Sequence, residues 1–474
     1  MSETLASPAT ACVYRRTMVH SVAIGKVKML MDAAIVVDEN GVISAIHDMK
    51  DDGAEDTMAE LMSQGTEVAD FRGSSSCRGS SMATPTPSVR VPRHRDGPAA
   101  AAVARDLHIS SGGEVQGPRV RQKGVPEGSA ATSQAGTTTC SYFASLHLES
   151  TKVLVDVIRG AGSTSVRGKG EHGQKRAGLH PRDDRRRHER RRGLRQVRLG
   201  GAGRPAYHAG RHAAVRAQLH ARADDMPREV SRKYDVPVQS HMSESRGDRL
   251  GQELHPDIET YPGVYKHYGL MHERSYFAHC IHCSGVDRAI MLDAKTGVVH
   301  CPSSNFNLMS GVANVRRYLQ EGIKVGLGTD VAGGYSASML DCIRQTMIAT
   351  NVCGMKPDED GKMWKPLSMQ EAFHLATMGG AEVLGLQKVV GNFLPGKQAS
   401  SCSGRQAFDA LVVDPSPGEE AEVDATGAGL VVIDGPFDLF PELGQGMQTA
   451  FEKFIFMGDD RNIERVYVAG NRVV

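Results

Sequence analysis

The sequence predicts a chain of the mixed α/β class built around a β/α barrel, and three short runs carry that prediction. Val236 to Val238, Tyr276 to Phe277 and Ile323 to Leu327 read as buried strands. Each closes on a polar cluster: Gln239-Ser240-His241-Met242-Ser243-Glu244, then Ala278-His279, then Gly328-Thr329-Asp330-Val331-Ala332-Gly333-Gly334. Polar strand ends in series converge on one rim of such a barrel. His, His and Asp are neutral or anionic N/O donors suited to a divalent metal, and a Glu three residues past a His is placed to move a proton for a water that the metal activates. The pattern reads as hydrolysis chemistry.

Taken in order, the chain first shows alternating apolar stretches at Val19 to Ala23, Ala34 to Val37 and Val42 to Ile46, with a turn at Glu39-Asn40-Gly41, which predict short strands. A helix is predicted at Leu146 to Gly160, strands ending at His241, His279, His300 and Asp330, and helices near Met339 to Val352 and Met369 to Leu384. Pro227-Arg228 opens a further helix before Val236, where Pro is favoured at the first position. Asp409 to Asp414 and Val466 to Val473 return to strand texture. No internal repeat is visible.

Composition bounds the class. With 474 residues and 40% apolar content the chain can bury one large core and a satellite domain. Met1 to Arg16 lacks an apolar run long enough for a signal peptide, and no stretch is apolar enough to span a membrane. Nine cysteines without framework spacing predict reduced thiols and residence in the cytoplasm.

The charge distribution is uneven. Residues 163–226 carry 17 Lys and Arg against 6 Asp and Glu, in a chain whose net charge is only +1. The excess peaks at Arg185-Arg186-Arg187-His188-Glu189-Arg190-Arg191-Arg192 and has no helical or strand periodicity. RNA binding or nuclear import is a weaker reading of this run, since it has no interleaved aromatics. Phe71 to Ala135 likewise lacks an apolar face. Structureless stretches of this length are foreign to a compact barrel.

Around its polar clusters the chain resembles the guanine deaminase family of the amidohydrolase superfamily. The likeness extends to Val298-Val299-His300-Cys301-Pro302-Ser303-Ser304-Asn305, to Gly326 to Leu340, to Leu375-Ala376-Thr377-Met378-Gly379-Gly380 and to Phe456-Met457-Gly458-Asp459-Asp460-Arg461-Asn462-Ile463. It is strong from about Pro227 to Gln398 and from Phe408 onward, with a further stretch from Gly136 to Gly162. The resemblance implies a distorted TIM-type (β/α)8 metal-dependent hydrolase barrel beside a small β-sandwich built from both chain ends. The expected division is residues 10–70 and 391–474 for the two parts of the sandwich, 137–162 for a barrel segment, 227–390 for the barrel core with its motifs, and 71–136 and 163–226 for irregular stretches.

By the same resemblance, one Zn2+ is held by His241 and Asp330. Glu244, His279 and Asp330 are catalytic, and a purine is contacted by His241, Met242, Ser243, Glu244 and Asp330. The implied reaction is hydrolysis of guanine to xanthine and ammonia by a homodimer. His279 is expected to orient the attacking water rather than bind the metal, and His300 to be a satisfied strand-end histidine.

The family's Pro-Gly-Phe-Ile-Asp-x-His-x-His strand and its purine-holding Pro-Arg-Phe are missing from this chain. Both belong where the two irregular stretches lie, so the barrel is incomplete. Codon arithmetic gives a reason. Read from the third base of each codon, Cys77 to Pro87 permits Pro-Gly-Phe-Ile-Asp-Gly-His-Thr-His-Ala, and read from the second base, His212 to His220 permits Thr-Pro-Arg-Phe-Ala-Pro-Ser-Cys-Thr. The two stretches are therefore expected to be out-of-frame translations. Gln398 to Gln406 similarly interrupts a tight family connection.

Alternatives of other kinds stay in view. His241 and Asp330 can serve as structural strand-end groups, and Glu244 can cap a helix. His147-Leu148-Glu149 with Cys280-Ile281-His282-Cys283 imitates the His-x-Glu and Cys-x-x-Cys signature of the other zinc deaminases, with the wrong spacing. A related amidohydrolase acting on a triazine or pterin amine, or a metal-poor remnant serving as a binding partner, completes the set.

Overall fold

The computed structural model describes residues 12–38, 42–63, 66–70, 81–83, 87–90, 135–144, 164–169, 211–212, 237–246, 255–331, 333–397, 410–413, 447–468 and 471–472. The turn at 39–41, the helix at 146–160, the helix before Val236, His147 to Glu149, the Arg-rich run and 398–406 lie outside them, as do most of 71–136 and 163–226.

The alternating N-terminal stretches fold as β1 (Cys12–Ala23), β2 (Lys26–Val37) and β3 (Ile43–Asp48), consecutive and antiparallel. Helix α1 (Ala54–Ser63) and β4 (Glu67–Asp70) follow. Arg15, 8% exposed, ties this end together. Its guanidinium forks onto Asp32 of β2 at 3.0 and 2.8 Å and also reaches Glu55 of α1. Bidentate pairs of this kind fix geometry as well as adding energy.

Within the two stretches expected to be irregular lie β5 (Ser81–Ala83), β6 (Pro87–Arg90), β8 (Thr164–Lys169) and β9 (Arg211–His212), with β7 (Thr139–Ala144) between them. From there the chain alternates strand and helix: β10 (Val238–Met242), α2 (Tyr261–His267), β11 (Ser275–His279), α3 (Gly285–Asp293), β12 (Gly297–His300), α4 (Pro302–Asn307), α5 (Val315–Gln320) and β13 (Lys324–Leu327). Next come α6 (Met339–Gly354), α7 (Met369–His374), a π turn (Leu375–Gly379) and α8 (Gly380–Leu384). The described chain ends with β14 (Ala410–Val413), α9 (Met447–Met457), β15 (Ile463–Val468) and β16 (Asn471–Arg472).

Two sheets are wholly parallel, β6-β7-β8 and β9-β10-β11-β12-β13, and β13 also approaches β6 while β8 approaches β9. The third is an eight-stranded mixed sheet ordered β16-β15-β14-β5-β1-β2-β3, with β4 on β1, so both ends of the chain share one sheet. Strand alternation divides the parallel strands. Val238, Met242, Phe277, Val298 and Val325 pack in the main core with Tyr265 of α2, Met291 of α3 and Phe373 of α7, while Tyr276, Ala278 and Val299 pack with Phe143 and Val383.

The helix predicted as one piece over Met369 to Leu384 is interrupted by the π turn, and β13 explains why. A Cβ on Gly379 would stand 2.4 Å from the Val325 carbonyl oxygen, and one on Gly326 2.8 Å from Gly380 Cα. The widened turn lays Gly379-Gly380 directly on the strand backbone. The strand predicted to run to Asp330 ends at Leu327, and Gly328 continues the pairing only through its N–H to the His300 carbonyl (2.9 Å).

A buried seam joins β1 to the helices. Ser21 Oγ meets His374 Nδ1 at 2.8 Å, Asn392 Nδ2 donates to the Ser21 carbonyl at 3.0 Å, and the Phe393 N–H donates to His20 Nδ1 at 3.3 Å. Burial holds the His20 pKa down to about 4, with Lys28 and Lys397 adding to the effect, and burial alone brings His374 to about 4. Both rings are thus neutral in the folded state near pH 6, whereas the unfolded chain protonates them near 6.5. Their stabilisation is full above pH 6.5 and is lost as pH falls toward 4, by about 2–3 kcal/mol each. The urea midpoint is expected to drop steeply across that interval, and His374→Asn to flatten the drop by about half.

Candidate active site

Four side chains from the ends of three strands of one parallel sheet meet. His241 on β10, His279 on β11 and Asp330 beyond β13 each offer a ligand atom, and the three atoms lie within 4.8 Å of one another. His279 Nε2 stands 3.6 Å from Asp330 Oδ2 and 4.0 Å from Glu244 Oε2. The His241 and His279 rings are nearly parallel, 17° apart with centroids at 5.3 Å, and Phe143 of β7 lies 4.4 Å from the His241 ring.

The backbone is unusual at these strand ends. Ser243, His279, Cys280 and Asp330 have φ of 50°, 71°, 47° and 45°, left-handed values that L residues rarely adopt. Such conformations concentrate at functional sites, where surrounding structure over-determines them. Ser243 is held by its carbonyl, which accepts from the Ile281 and His282 N–H groups at 3.0 Å each.

The glycines after Asp330 have a steric reason. A Cβ on Gly333 would lie 2.4 Å from Ser304 Oγ and 2.9 Å from Asp330 Oδ2, and one on Gly334 only 2.2 Å from the Thr329 carbonyl oxygen. The loop can fold back over its own aspartate only without side chains there.

Helix α4 with the residues after it braces the cluster from one side. Asn305 Oδ1 lies 2.9 Å from His279 Nδ1, Asn307 Nδ2 donates to the Gly333 carbonyl at 3.1 Å, and Ser310 Oγ donates to Glu244 Oε1 at 3.3 Å. Asn305, Asn307 and Ser310 are neither usual metal donors nor acids, so residue type alone does not mark them, although Asn305 closes a motif that carries the family resemblance.

Asp330 is 5% exposed, and burial lifts its carboxyl pKa to about 6; His279 and the Ser304 hydroxyl act in the opposite direction, and Glu244 adds to the rise. A buried carboxylate with two imidazoles at this spacing has the donor chemistry of a small divalent cation, which bonds such atoms at about 2 Å. The residues present therefore fit a metal. His279 belongs to this cluster on the same footing as His241 and Asp330.

Met242 lies fully buried in the main hydrophobic core, on the opposite strand face from His241. His300 departs from expectation. It is 1% exposed, neither ring nitrogen has a hydrogen-bond partner among the described residues, and burial, then His279, lowers its pKa to about 3. Cys280 Sγ donates to the Phe277 carbonyl at 3.6 Å, and the Tyr318 hydroxyl donates to the Cys280 carbonyl.

A family model described as "Amidohydrolase family" matches residues 117–473. The chain belongs to the amidohydrolase family. A guanine deaminase of Dictyostelium discoideum is 37% identical over 245 residues, 52% of this chain and 48% of that protein. The chain thus spans about half the length of the curated relatives it matches. A guanine deaminase structure from C. acetobutylicum with bound guanine superimposes with a TM-score of 0.79 at 24% identity, covering 98% of this chain and 100% of the other. An adenosine deaminase from Xanthomonas campestris with bound zinc gives 0.69 at 18% identity, over 99% and 93%. At these identities the likeness is one of fold, and it implies a TIM-type barrel. Among the described residues of this amidohydrolase no helix is long and apolar enough to cross a membrane.

Gly334→Ala is expected to lower the unfolding free energy by about 2–3 kcal/mol, since the clash is with backbone. Gly361→Ala, at φ 75° with nothing within 4 Å, should lose only about 1 kcal/mol. Paired urea titrations check the difference.

Proposed function

We propose that this chain carries the downstream half of a guanine deaminase site, with one zinc ion held by His241, His279 and Asp330. The observation that carries the reading is the meeting of those three donors, with Glu244 4.0 Å from His279, in a chain that is 37% identical over 245 residues to a guanine deaminase. Zinc bound there would supply a Lewis acid and bring the pKa of water toward neutrality.

The chain's own groups do the rest. Glu244, its carboxylate held by Ser310, takes a proton from the attacking water and delivers it to a ring nitrogen of the purine. Asp330 orients that water toward C2, and as the tetrahedral carbon collapses the proton of its new hydroxyl passes to the amine, which leaves as ammonia and yields xanthine. His241 and Ser243 contribute to the purine-facing rim, and Met242 supports it from behind. In the same reading the parallel strands close as a distorted (β/α)8 barrel through β13 with β6 and β8 with β9, and the shared sheet of the chain ends is the small β-sandwich. The domain division given above, a homodimer and cytoplasmic residence belong to the reading as well.

The polypeptide as it stands has no His-x-His and no Pro-Arg-Phe, so the proposal assigns it weak zinc binding and little turnover. Its counterpart with both reading frames restored should bind one zinc and form xanthine, at least about 100-fold faster. In that restored protein Glu244→Gln should lower kcat by about 10²–10⁴ with zinc retained. Equal rates from the two proteins, or a transcript that encodes no His-x-His in any frame at Cys77 to Pro87, would refute the reading. Restored turnover of a triazine or pterin amine instead of guanine would correct the substrate alone.

A further inference from the structure

We propose that Asn305 is the positioning residue of His279, selecting the tautomer that turns a bare Nε2 toward the cation site. The proposal rests on the metal reading above. Both residues are 1% exposed, and the contact between His279 Nδ1 and Asn305 Oδ1 is 2.9 Å, a hydrogen bond of ordinary length. An amide oxygen only accepts, so this contact places the proton on Nδ1. A neutral imidazole has one N–H, and its lone pair is then on Nε2. That is the nitrogen facing Asp330 Oδ2 at 3.6 Å and Glu244 Oε2 at 4.0 Å.

The backbone of Asn305 is held at both ends, while its amide Nδ2 is buried without a hydrogen-bond partner among the described residues. Its N–H donates to the Cys301 carbonyl at 3.0 Å, and its carbonyl accepts from the Ser310 N–H at 2.9 Å. Pro302 opens the helix that carries it. On the other side the His279 ring lies nearly parallel to His241, so it is gripped between a stacking partner and the amide. Ligating histidines depend on such outer partners for tautomer, orientation and basicity. The opposite amide orientation, with Nδ2 toward the ring, would move the proton to Nε2 and close the site to a cation.

The test begins on the metal-free chain at pH 8, labelled with 15N-histidine, using His279→Gln to assign the ring. Long-range proton–nitrogen spectra should show a protonated Nδ1 and a bare Nε2; an Nε2–H tautomer overturns the proposal. Zinc affinity, measured by competition with a chromophoric chelator, forms the second arm. Asn305→Asp keeps the acceptor and should bind within a few-fold of the unchanged chain, whereas Asn305→Leu should bind about 10–100-fold more weakly. Equal affinity in a folded Asn305→Leu protein, or a loss as large in Asn305→Asp, overturns it. If Asn305→Leu does not fold, the tautomer and the Asp variant decide. Failure of the unchanged chain to bind zinc, with the tautomer as expected, counts against the metal reading alone.

Discussion

The burial of the Asp330 carboxylate is the constraint around which the site is arranged. Removing a carboxylate from water is unfavourable unless charge or hydrogen bonds replace the solvent, and here burial outweighs its neighbours and lifts the pKa to about 6. The aspartate is nevertheless held in a left-handed conformation, under a loop whose two glycines leave no room for side chains, and facing an imidazole. Strain and desolvation together at one residue favour a bound cation as the group that offsets them.

The chemistry-bearing residues were legible because their signal is local. A short apolar run closed by His or Asp needs no tertiary knowledge, and His241, His279 and Asp330 converge as the strand-end argument required. The bracing was not legible in the same way. Asn305 and Ser310 matter through partners 26 and 66 residues away in sequence, and neither is a residue type that a search for acids, bases and ligands selects. The π turn at Leu375–Gly379 escaped for a related reason: helical periodicity registers the apolar face but not the extra residue that close approach to β13 imposes. His300 stands at a strand end, where a partner is the common outcome, but that outcome depends on neighbours the sequence pattern does not contain.

The assignment of His279 shows where pattern and geometry diverge. Sequence likeness gave it a role beside the metal, because a lone His after a strand says nothing about which nitrogen points where. Geometry supplies that: Nδ1 is engaged by Asn305, and Nε2 looks onto two carboxylates. Binding a cation and orienting a water require the same lone pair at the same place, so the two roles differ only in whether an ion lies between.

The half-site is coherent because of how it is connected. β10, β11, β12 and β13 pair in sequence order in one parallel sheet, and α4, which braces their ends, follows β12 directly. Helix-connected parallel strands pair with near neighbours along the chain, so the geometry of these four strand ends depends mainly on residues 237–334. The contacts of Asn305 with His279, Asn307 with Gly333 and Ser310 with Glu244 all fall within that stretch, so the arrangement is braced by side chains from inside it.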